Sequence, residues 1–238
     1  MRVTAPRVHP ASEALLNLLY PPHCVVCERP GAWLCSGCLA LRTPLPAPLC
    51  PHCGRPMPTT RLCRRCRTDR SQLVAMRSVG AYTTPLREAI YALKYGGMRV
   101  LAQPLAALLA EYWQSMTIAV DVIVPVPLHI RRQRYRGYNQ AELLARAMAE
   151  CVGLPVERHG IVRHRDTRSQ VGLDIAERHA NMQGAFECIG AALNGARVLL
   201  IDDVLTTGAT LEAAAEAARA GGAADVWALT LSRAPDPP

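Results

Sequence analysis

Several kinds of segment are absent from this 238-residue chain. It has no run of about 18 or more apolar residues, which excludes a membrane-spanning helix and predicts no membrane insertion. The best match to a signal peptide, residues 14–20, has an asparagine in its middle and no small-residue cleavage site, so we expect a short docking helix and a cytoplasmic protein. Half of the residues are hydrophobic and 19% are charged, which excludes a disordered tail protein.

Lysine and phenylalanine are nearly absent, with one residue of each against 26 arginines. This imbalance is typical of a GC-rich coding bias, so the number of arginines by itself says little about function. The single lysine, Lys94, stands out, and a flexible amine in a chain that otherwise avoids it indicates contact with an anion. A lysine at the end of a helix also complements the helix dipole, and both interpretations stay open.

The positive charge lies mostly in the first third of the chain. Residues 1–70 carry ten arginines and three acids, whereas the rest of the chain carries 17 basic and 16 acidic side chains. A basic module beside a nearly neutral one is typical of a protein with a polyanionic partner such as nucleic acid. The same charge also serves solubility and compensates metal-bound thiolates, so both interpretations stay open.

Eight of the ten cysteines form four C-x2-C pairs. Each pair directs two sulfurs at one point, and two pairs complete a tetrahedral structural zinc site. Four pairs therefore predict two zinc sites, although the spacing does not decide which pairs combine. Disulfides would require a secreted protein, and the remaining cysteines, Cys151 and Cys188, are expected to be ordinary buried thiols. The predicted zinc ligands are Cys24, Cys27, Cys35, Cys38, Cys50, Cys53, Cys63 and Cys66.

The pattern of the chain changes after the fourth cysteine pair. We expect residues 1–70 to hold a lead helix and both cysteine ribbons, and residues 71–238 to form an α/β domain. Apolar strands alternate there with amphipathic helices, which predicts a mostly parallel sheet flanked by helices, with ligands at the carboxyl ends of its strands. The predicted strands are 79–82, 122–126, 156–162, 185–189, 198–201 and 226–231, and the predicted helices are 85–93, 100–113, 139–151 and 209–220. Asn139 is expected to cap the third of these helices.

The segment 198–211, VLLIDDVLTTGATL, carries the most informative motif. Four apolar residues predict a buried strand, and Asp202 and Asp203 are expected just past its end. The threonines and glycine that follow predict a phosphate cradle, because backbone N–H groups at a helix start bind anions. Adjacent carboxylates before the cradle suit the cis-diol of a ribose or its metal ion, so the segment predicts a ribose 5-phosphate site. The alternative is a capped turn whose acids face water.

The array Asp-Asp-x-x-Thr-Thr-Gly-x-Thr resembles the signature with which type I phosphoribosyltransferases bind 5-phosphoribosyl 1-pyrophosphate (PRPP). The block DVIVPVPLHIRRQRYRGYNQAE at 121–142, the segment ALKYGG at 92–97 and the four cysteine pairs extend the likeness. From about residue 20 onward, the chain resembles the competence protein F (ComF) family, also called GntX-like. The resemblance implies a double zinc ribbon followed by a type I phosphoribosyltransferase fold.

The resemblance also implies roles for individual residues. Asp202 and Asp203 would be the catalytic pair and would hold the ribose hydroxyls, directly or through the Mg²⁺ that accompanies PRPP. The turn after Val126 would hold the pyrophosphate, and residues 164–186 would form a flexible loop that closes over the site and excludes water. The residues expected to bind PRPP are Thr206, Thr207, Gly208, Ala209, Thr210, Lys94 and Arg131.

Arg131 opens a run of four arginines within six residues. Beside a pyrophosphate loop, one or two of them would clamp the diphosphate. A solvated basic turn and a nucleic-acid contact are the alternatives. His129 and His164 are candidate general bases, against the more common structural role of a lone histidine.

Three functions agree with these residues. The first is transfer of the phosphoribosyl group from PRPP to an unknown acceptor, and the second is sensing of PRPP or a nucleotide without turnover. The third, suggested by the family name, is an adaptor for DNA uptake whose ribbons contact DNA or a helicase-like partner. Residue 2 is arginine, where a glutamine-hydrolysing enzyme would need a nucleophile, so we expect no glutamine-dependent amidotransferase activity.

Overall fold

The computed structural model of the chain describes residues 21–68, 71–166 and 175–235. The docking helix expected at 14–20 lies outside these residues. Within them, no helix combines the length and the apolar character that crossing a membrane requires.

Two similar ribbons occupy residues 21–68. In each, a turn carries one cysteine pair and a five-residue helix carries the next; these helices are α1, Ser36–Ala40, and α2, Arg64–Thr68. Directly after its first pair, each ribbon places a residue in the left-handed region, Glu28 at φ 60° and Gly54 at φ 69°. The second position needs glycine, because a Cβ there would lie 2.8 Å from a backbone oxygen of the following domain.

The main sheet contains four parallel strands in the order β1–β6–β5–β2. A second sheet pairs β3 and β4 antiparallel. The expectation of a mostly parallel sheet is confirmed. The strands are β1, Ala75–Ala81; β2, Val122–Pro125; β3, Ile161–Arg163; β4, Phe186–Cys188; β5, Arg197–Leu205; and β6, Asp225–Arg233.

Helices cover both faces of the main sheet. Since successive side chains of a strand point to opposite faces, each face of the sheet has side chains to bury. Leu199 and Ile201 of β5 join a core with α3, α4 and α6, whereas Val198 and Leu200 join a second core with the alanine-rich α8. A 3-10 turn at Arg99–Leu101 leads into α4. The helices are α3, Leu86–Tyr95; α4, Ala102–Gln114; α5, Ile130–Arg136; α6, Gln140–Val152; α7, Ile175–Met182; and α8, Ala209–Ala220.

Two features of the sheet differ from the expectation. β5 does not end at residue 201 but continues to Leu205, because β6 runs beside it and pairs Asp202 with Thr230 and Leu205 with Arg233. The two aspartates therefore lie inside the strand, not past its end. The strand expected at 156–162 is reduced to a single bridge between Val156 and Ile123, followed by the short β3.

The run of arginines at 131–136, for which a basic turn was one of three interpretations, lies in the helix α5, which is capped by His129 at its start and ended by Gly137 in the left-handed conformation. One further expectation needs correction. The two cysteines outside the ribbons are not buried: Cys151 is exposed and Cys188 is half-buried. Cys151 lies near the end of α6, whereas Cys188 ends β4 and packs in part against the second core.

Candidate functional site

A cleft of about 330 Å³ lies at the carboxyl ends of the four parallel strands. Tyr82 follows β1, Val126 follows β2, and Ala234 follows β6, and all three line it. β5 contributes its own last residues, including both aspartates. The charged and threonine side chains in the lining are Lys94, Arg132, Arg136, Arg163, Asp202, Asp203, Thr206 and Thr210.

An ion pair connects the end of α3 with β5. Nζ of Lys94 lies 2.6 Å from Oδ1 of Asp203, and the Asp203 side chain is 4% exposed. Burial lowers the pKa of Lys94, but the charges of Asp203 and Asp202 outweigh this effect, so the pKa lies above its usual value. The second oxygen of Asp203, Oδ2, is buried without a hydrogen-bond partner among the described residues.

Asp202 lies beside this pair and has a different environment. Burial and the negative charge of Asp203 raise the pKa of Asp202 to about 7, against the opposing effect of Lys94. Oδ1 of Asp202 accepts a hydrogen bond from the backbone N–H of Asp203 at 2.8 Å. The Asp202 carboxylate and the Oδ2 atom of Asp203 together form a set of oxygen donors that fits Mg²⁺ or the hydroxyls of a ribose.

The loop at 206–210 connects β5 with α8. Gly208 caps α8 with φ 85°, and a Cβ there would lie 3.2 Å from Sδ of Met76. Thr206 and Thr210 line the cleft with their side chains. Thr207 is buried on the opposite side of the loop, and Gly208 and Ala209 have no polar side chain, so these three residues offer a ligand only backbone groups.

The arginines of α5 divide between the cleft and the solvent. The side chain of Arg131 is 80% exposed and lies 3.6 Å from Asp166, outside the cleft lining. Arg132 and Arg136, four residues apart on one face of the helix, line the cleft instead. The sequence left open which arginines would clamp a diphosphate, because no helix was predicted for this run; helical spacing would have separated Arg131 from the other two.

Arg163 was not singled out from the sequence, although it lines the cleft from β3. It is 9% exposed, and its guanidinium carbon lies 5.5 Å from the centre of the Phe186 ring. Burial and the nearby Arg132 lower the pKa of Arg163 to about 10, which leaves it a cation at neutral pH. No sequence motif marks this residue. It lies at the cleft only because β3 meets the strands of the main sheet in the folded chain.

The turn after β2 is held by Asn139, which was expected to cap a helix. Its Oδ1 accepts from the backbone N–H of Ala141 and caps α6, and its Nδ2 donates to the carbonyl oxygen of Val126; both distances are 3.0 Å. The capping role is therefore confirmed. The backbone N–H of Val126 donates to Ile201 of β5 at 3.0 Å, which connects the turn to the central strand.

Neither candidate histidine lines the cleft. His129 is buried and caps α5, with Nδ1 accepting from the backbone N–H of Arg131 at 3.4 Å. His164 is exposed. The geometry thus gives His129 a structural role. Of the loop expected at 164–186, residues 167–174 lie outside the described residues, and the later part forms α7 and β4.

The cysteine pairs combine in chain order, which answers the question that their spacing left open. Within each group of four, all sulfur atoms lie within 4.8 Å of one another. Backbone N–H groups donate to Cys24 in the first group and to Cys50 in the second, at 3.5 and 3.4 Å. Although burial opposes ionisation, such backbone donors lower the pKa of both thiols to about 6, which favours the thiolates that zinc requires. The groups are Cys24, Cys27, Cys35 and Cys38, and Cys50, Cys53, Cys63 and Cys66.

Comparison with known proteins matches both parts of the chain. The double zinc ribbon domain matches residues 15–67, and the phosphoribosyl transferase domain matches residues 100–237. The DNA utilization protein YhgH of Salmonella typhimurium is 34% identical over 91% of this chain and 99% of its own length. Competence protein F of Haemophilus influenzae is 31% identical over 84% of this chain and 90% of its own. Competence protein ComFC of Bacillus subtilis is 30% identical over 86% of each.

Solved structures resemble the chain more distantly. A glutamine PRPP amidotransferase from Bacillus subtilis has a TM-score of 0.39 and 19% identity, over 55% of this chain and 26% of that protein. A purine phosphoribosyltransferase from Pyrococcus horikoshii has a TM-score of 0.36 and 18% identity, over 56% and 82%.

Proposed function

The chain belongs to the ComF-like family of competence and DNA utilization proteins, in which a double zinc ribbon precedes a phosphoribosyltransferase domain, and we propose that it binds PRPP with Mg²⁺ and transfers the phosphoribosyl group. One observation carries the proposal. The ion pair of Lys94 and Asp203 stands beside Asp202 at the mouth of the loop 206–210, in a cleft whose other charged side chains are arginines.

The carboxylates and the loop would bind the two ends of a ribose 5-phosphate. Lys94 holds Oδ1 of Asp203, which leaves Oδ2 and the Asp202 carboxylate for the ribose hydroxyls or the Mg²⁺. The 5-phosphate would lie against the start of α8, where backbone N–H groups and the hydroxyls of Thr206 and Thr210 are available.

The arginines would neutralise the leaving group. Arg132, Arg136 and Arg163 line the cleft beside the turn after β2, and guanidinium groups bind phosphate oxygens in a bidentate manner. Arg131, expected from the sequence to bind PRPP, lies outside the cleft lining, so Arg132 and Arg136 take its place in this proposal.

In the reaction, the bond between C1 of the ribose and the pyrophosphate oxygen breaks, and the acceptor's nucleophilic atom bonds to C1. Mg²⁺, when bound, would neutralise part of the pyrophosphate charge. The protein positions the ribose and stabilises the leaving oxygen electrostatically. The described cleft lining holds no carboxylate besides Asp202 and Asp203, which are assigned to the ribose hydroxyls or the Mg²⁺, so the acceptor's proton would pass to the departing pyrophosphate or to solvent.

Calorimetric titration with PRPP and Mg²⁺ tests binding, and pyrophosphate release tests turnover. We expect binding that requires Mg²⁺, and release of pyrophosphate when a suitable acceptor is present. A protein that binds PRPP but releases no pyrophosphate with any acceptor in a metabolite screen would be a sensor. A folded protein that does not bind PRPP at millimolar concentration would contradict the proposal.

A second candidate function, binding of single-stranded DNA, is favoured by the rim of the cleft. Tyr91 and Tyr95 are exposed, with ring centres 5.0 Å apart, and the Arg136 guanidinium lies 5.3 Å from the Tyr95 ring. Tyr135 is 95% exposed. Aromatic rings on which bases stack, beside arginines that neutralise phosphates, are typical of single-strand binding surfaces. The names of the relatives, a DNA utilization protein and a competence protein, agree with this candidate.

Fluorescence anisotropy with a labelled single strand tests this surface. Tyr135→Ala should weaken binding, whereas Tyr135→Phe, which keeps the ring, should not. The logarithm of the affinity should fall with the logarithm of the salt concentration, by about 0.7 per phosphate contact. If removal of the ribbons abolishes binding and Tyr135→Ala does not change it, the basic ribbons bind the DNA instead.

A further inference from the structure

The second zinc ribbon contacts the loop 206–210, here called the phosphate loop after the role proposed for it, at residues outside the cleft lining. Nη1 of Arg65 donates to the carbonyl oxygen of Thr207 at 2.8 Å. These two residues are 142 positions apart in sequence, and each belongs to a different part of the molecule. Arg65 lies in α2, and Thr207 lies in the loop that leads into α8.

Other contacts fix the ribbon around this hydrogen bond. The carbonyl oxygen of His52 accepts from the backbone N–H of Met76 at 2.7 Å, and Met76 in turn packs under Gly208. Nη1 of Arg233 donates to the carbonyl oxygen of Cys53 at 2.8 Å. The ribbon therefore contacts the start of β1 and the end of β6, the two strands nearest to the loop on this side.

The zinc ligands determine where Arg65 lies. It stands between Cys63 and Cys66, whose sulfurs belong to the second four-cysteine group. The donor set of four closely spaced sulfurs fits zinc, which would fix both ends of this segment. An arginine between two ligands is thereby held in position by the metal site as well as by the five residues of α2.

The hydrogen bond also determines the direction of a backbone donor in the loop. In a trans peptide the carbonyl and the following N–H point in opposite directions. The Thr207 carbonyl points at Arg65, so the N–H of Gly208 points away from the ribbon. Thr206 and Thr210 line the cleft, whereas Arg65 and Thr207 line a separate cavity together with Cys66 and Arg233.

The first ribbon packs elsewhere. Its Leu34 and Cys38 join the core formed by α3, α4 and α6. Nη2 of Arg42, which follows α1, lies 3.8 Å from Oε1 of Glu111 in α4. Although the two ribbons are built alike, the described contacts connect only the second to the loop.

We propose that Arg65 is a positioning residue for the phosphate loop, and that the second ribbon is thereby part of the site that binds the 5-phosphate. The inference rests on the proposed function, because it assigns the loop to a phosphate. The inference predicts that the second ribbon affects binding at one end of the ligand only. Arg65 should influence the affinity for the ribose 5-phosphate group, whereas binding at the pyrophosphate subsite should not change.

Two ligands separate these effects in the full-length, zinc-loaded protein. We expect Arg65→Gln to weaken binding of ribose 5-phosphate with Mg²⁺ by roughly five- to tenfold, the value of one hydrogen bond, and to leave binding of pyrophosphate with Mg²⁺ unchanged. Arg65→Lys, which keeps a cationic donor on a longer side chain than glutamine, should recover part of the loss. Arg64→Gln removes an exposed arginine from the same helix and is the matched control. Elemental analysis should find the same zinc content in all four proteins.

Amide hydrogen exchange, measured without ligand, distinguishes failure of the positioning role of Arg65 from failure of the proposed function. Arg65→Gln should raise amide exchange across residues 206–210, and Arg64→Gln should not. If the wild-type protein binds neither ligand but exchange rises as expected, the proposed function fails and the positioning role stands. Unchanged exchange, or an equal loss of affinity for both ligands, would overturn the positioning role.

Discussion

The ammonium group of Lys94 lies 2.6 Å from the carboxylate of Asp203, and these residues stand 109 positions apart. Lys94 is the only lysine of the chain, and it lies at the end of α3. The sequence suggested that it contacts a bound anion or complements the helix dipole. In the structure its partner is a buried carboxylate of the protein, which it holds in one orientation at the cleft.

Removal of this cation should destabilise the fold. Lys94→Met leaves Asp203 buried without its partner, which costs about 3–5 kcal/mol in other proteins. The exposed pair of Arg87 and Glu88 supplies the control, because Arg87→Gln should change stability by less than about 1 kcal/mol. Urea unfolding measures both. The double variant Lys94→Met with Asp203→Asn should recover part of the loss, and a Lys94→Met protein as stable as the control would contradict the prediction.

Asp202 offers a cleaner test of the ligand site than Asp203. Because both aspartates lie inside β5 and Asp203 is paired with Lys94, substitution of Asp203 also disturbs the fold. Asp202→Asn should leave the protein folded and weaken Mg²⁺-dependent binding of PRPP by at least about tenfold. Asp121→Asn changes an exposed acid outside the cleft lining and should bind normally. Titration calorimetry decides, and equal affinity of the Asp202→Asn and wild-type proteins would show that the site is misassigned.

The raised pKa of Asp202 predicts how stability depends on pH. Since burial and Asp203 raise this pKa to about 7, the folded state holds a proton that the unfolded state releases near pH 4. The contribution of Asp202 to the free energy of unfolding should therefore decrease as pH rises from about 4 to 7. Asp202→Asn, which cannot ionise, should remove this decrease. The check is urea unfolding without Mg²⁺ at several pH values, and parallel profiles of the two proteins would contradict it.

Both ribbons should contain zinc. We expect two zinc ions per chain by elemental analysis, with one lost in Cys24→Ser and one in Cys63→Ser. Zinc in finger peptides contributes about 10–16 kcal/mol of apparent binding free energy, so each variant should disorder its own ribbon. The sheet domain should remain folded by circular dichroism, because its own strands and helices supply most of both cores, although Leu34 and Cys38 of the first ribbon join one of them. A protein without zinc, or with disulfides between these cysteines, would overturn the assignment.

The sequence by itself determined the features that local spacing encodes. Cysteines three residues apart share a turn, and Asn139 caps the helix that follows it, because their partners lie within a few residues. The alternation of apolar strands with helices determined a mostly parallel sheet. The Asp-Asp-x-x-Thr-Thr-Gly-x-Thr array indicated where on that sheet the site lies.

Only the tertiary structure decided which distant groups meet. Neither the pairing of Lys94 with Asp203 nor the contact of Arg65 with Thr207 has a local signal, because each joins segments more than 100 residues apart. The same holds for the length of β5, which β6 extends beyond the apolar residues, and for the order in which the cysteine pairs combine. Spacing along the chain determines the face on which a side chain lies, but packing of the elements determines what that face meets.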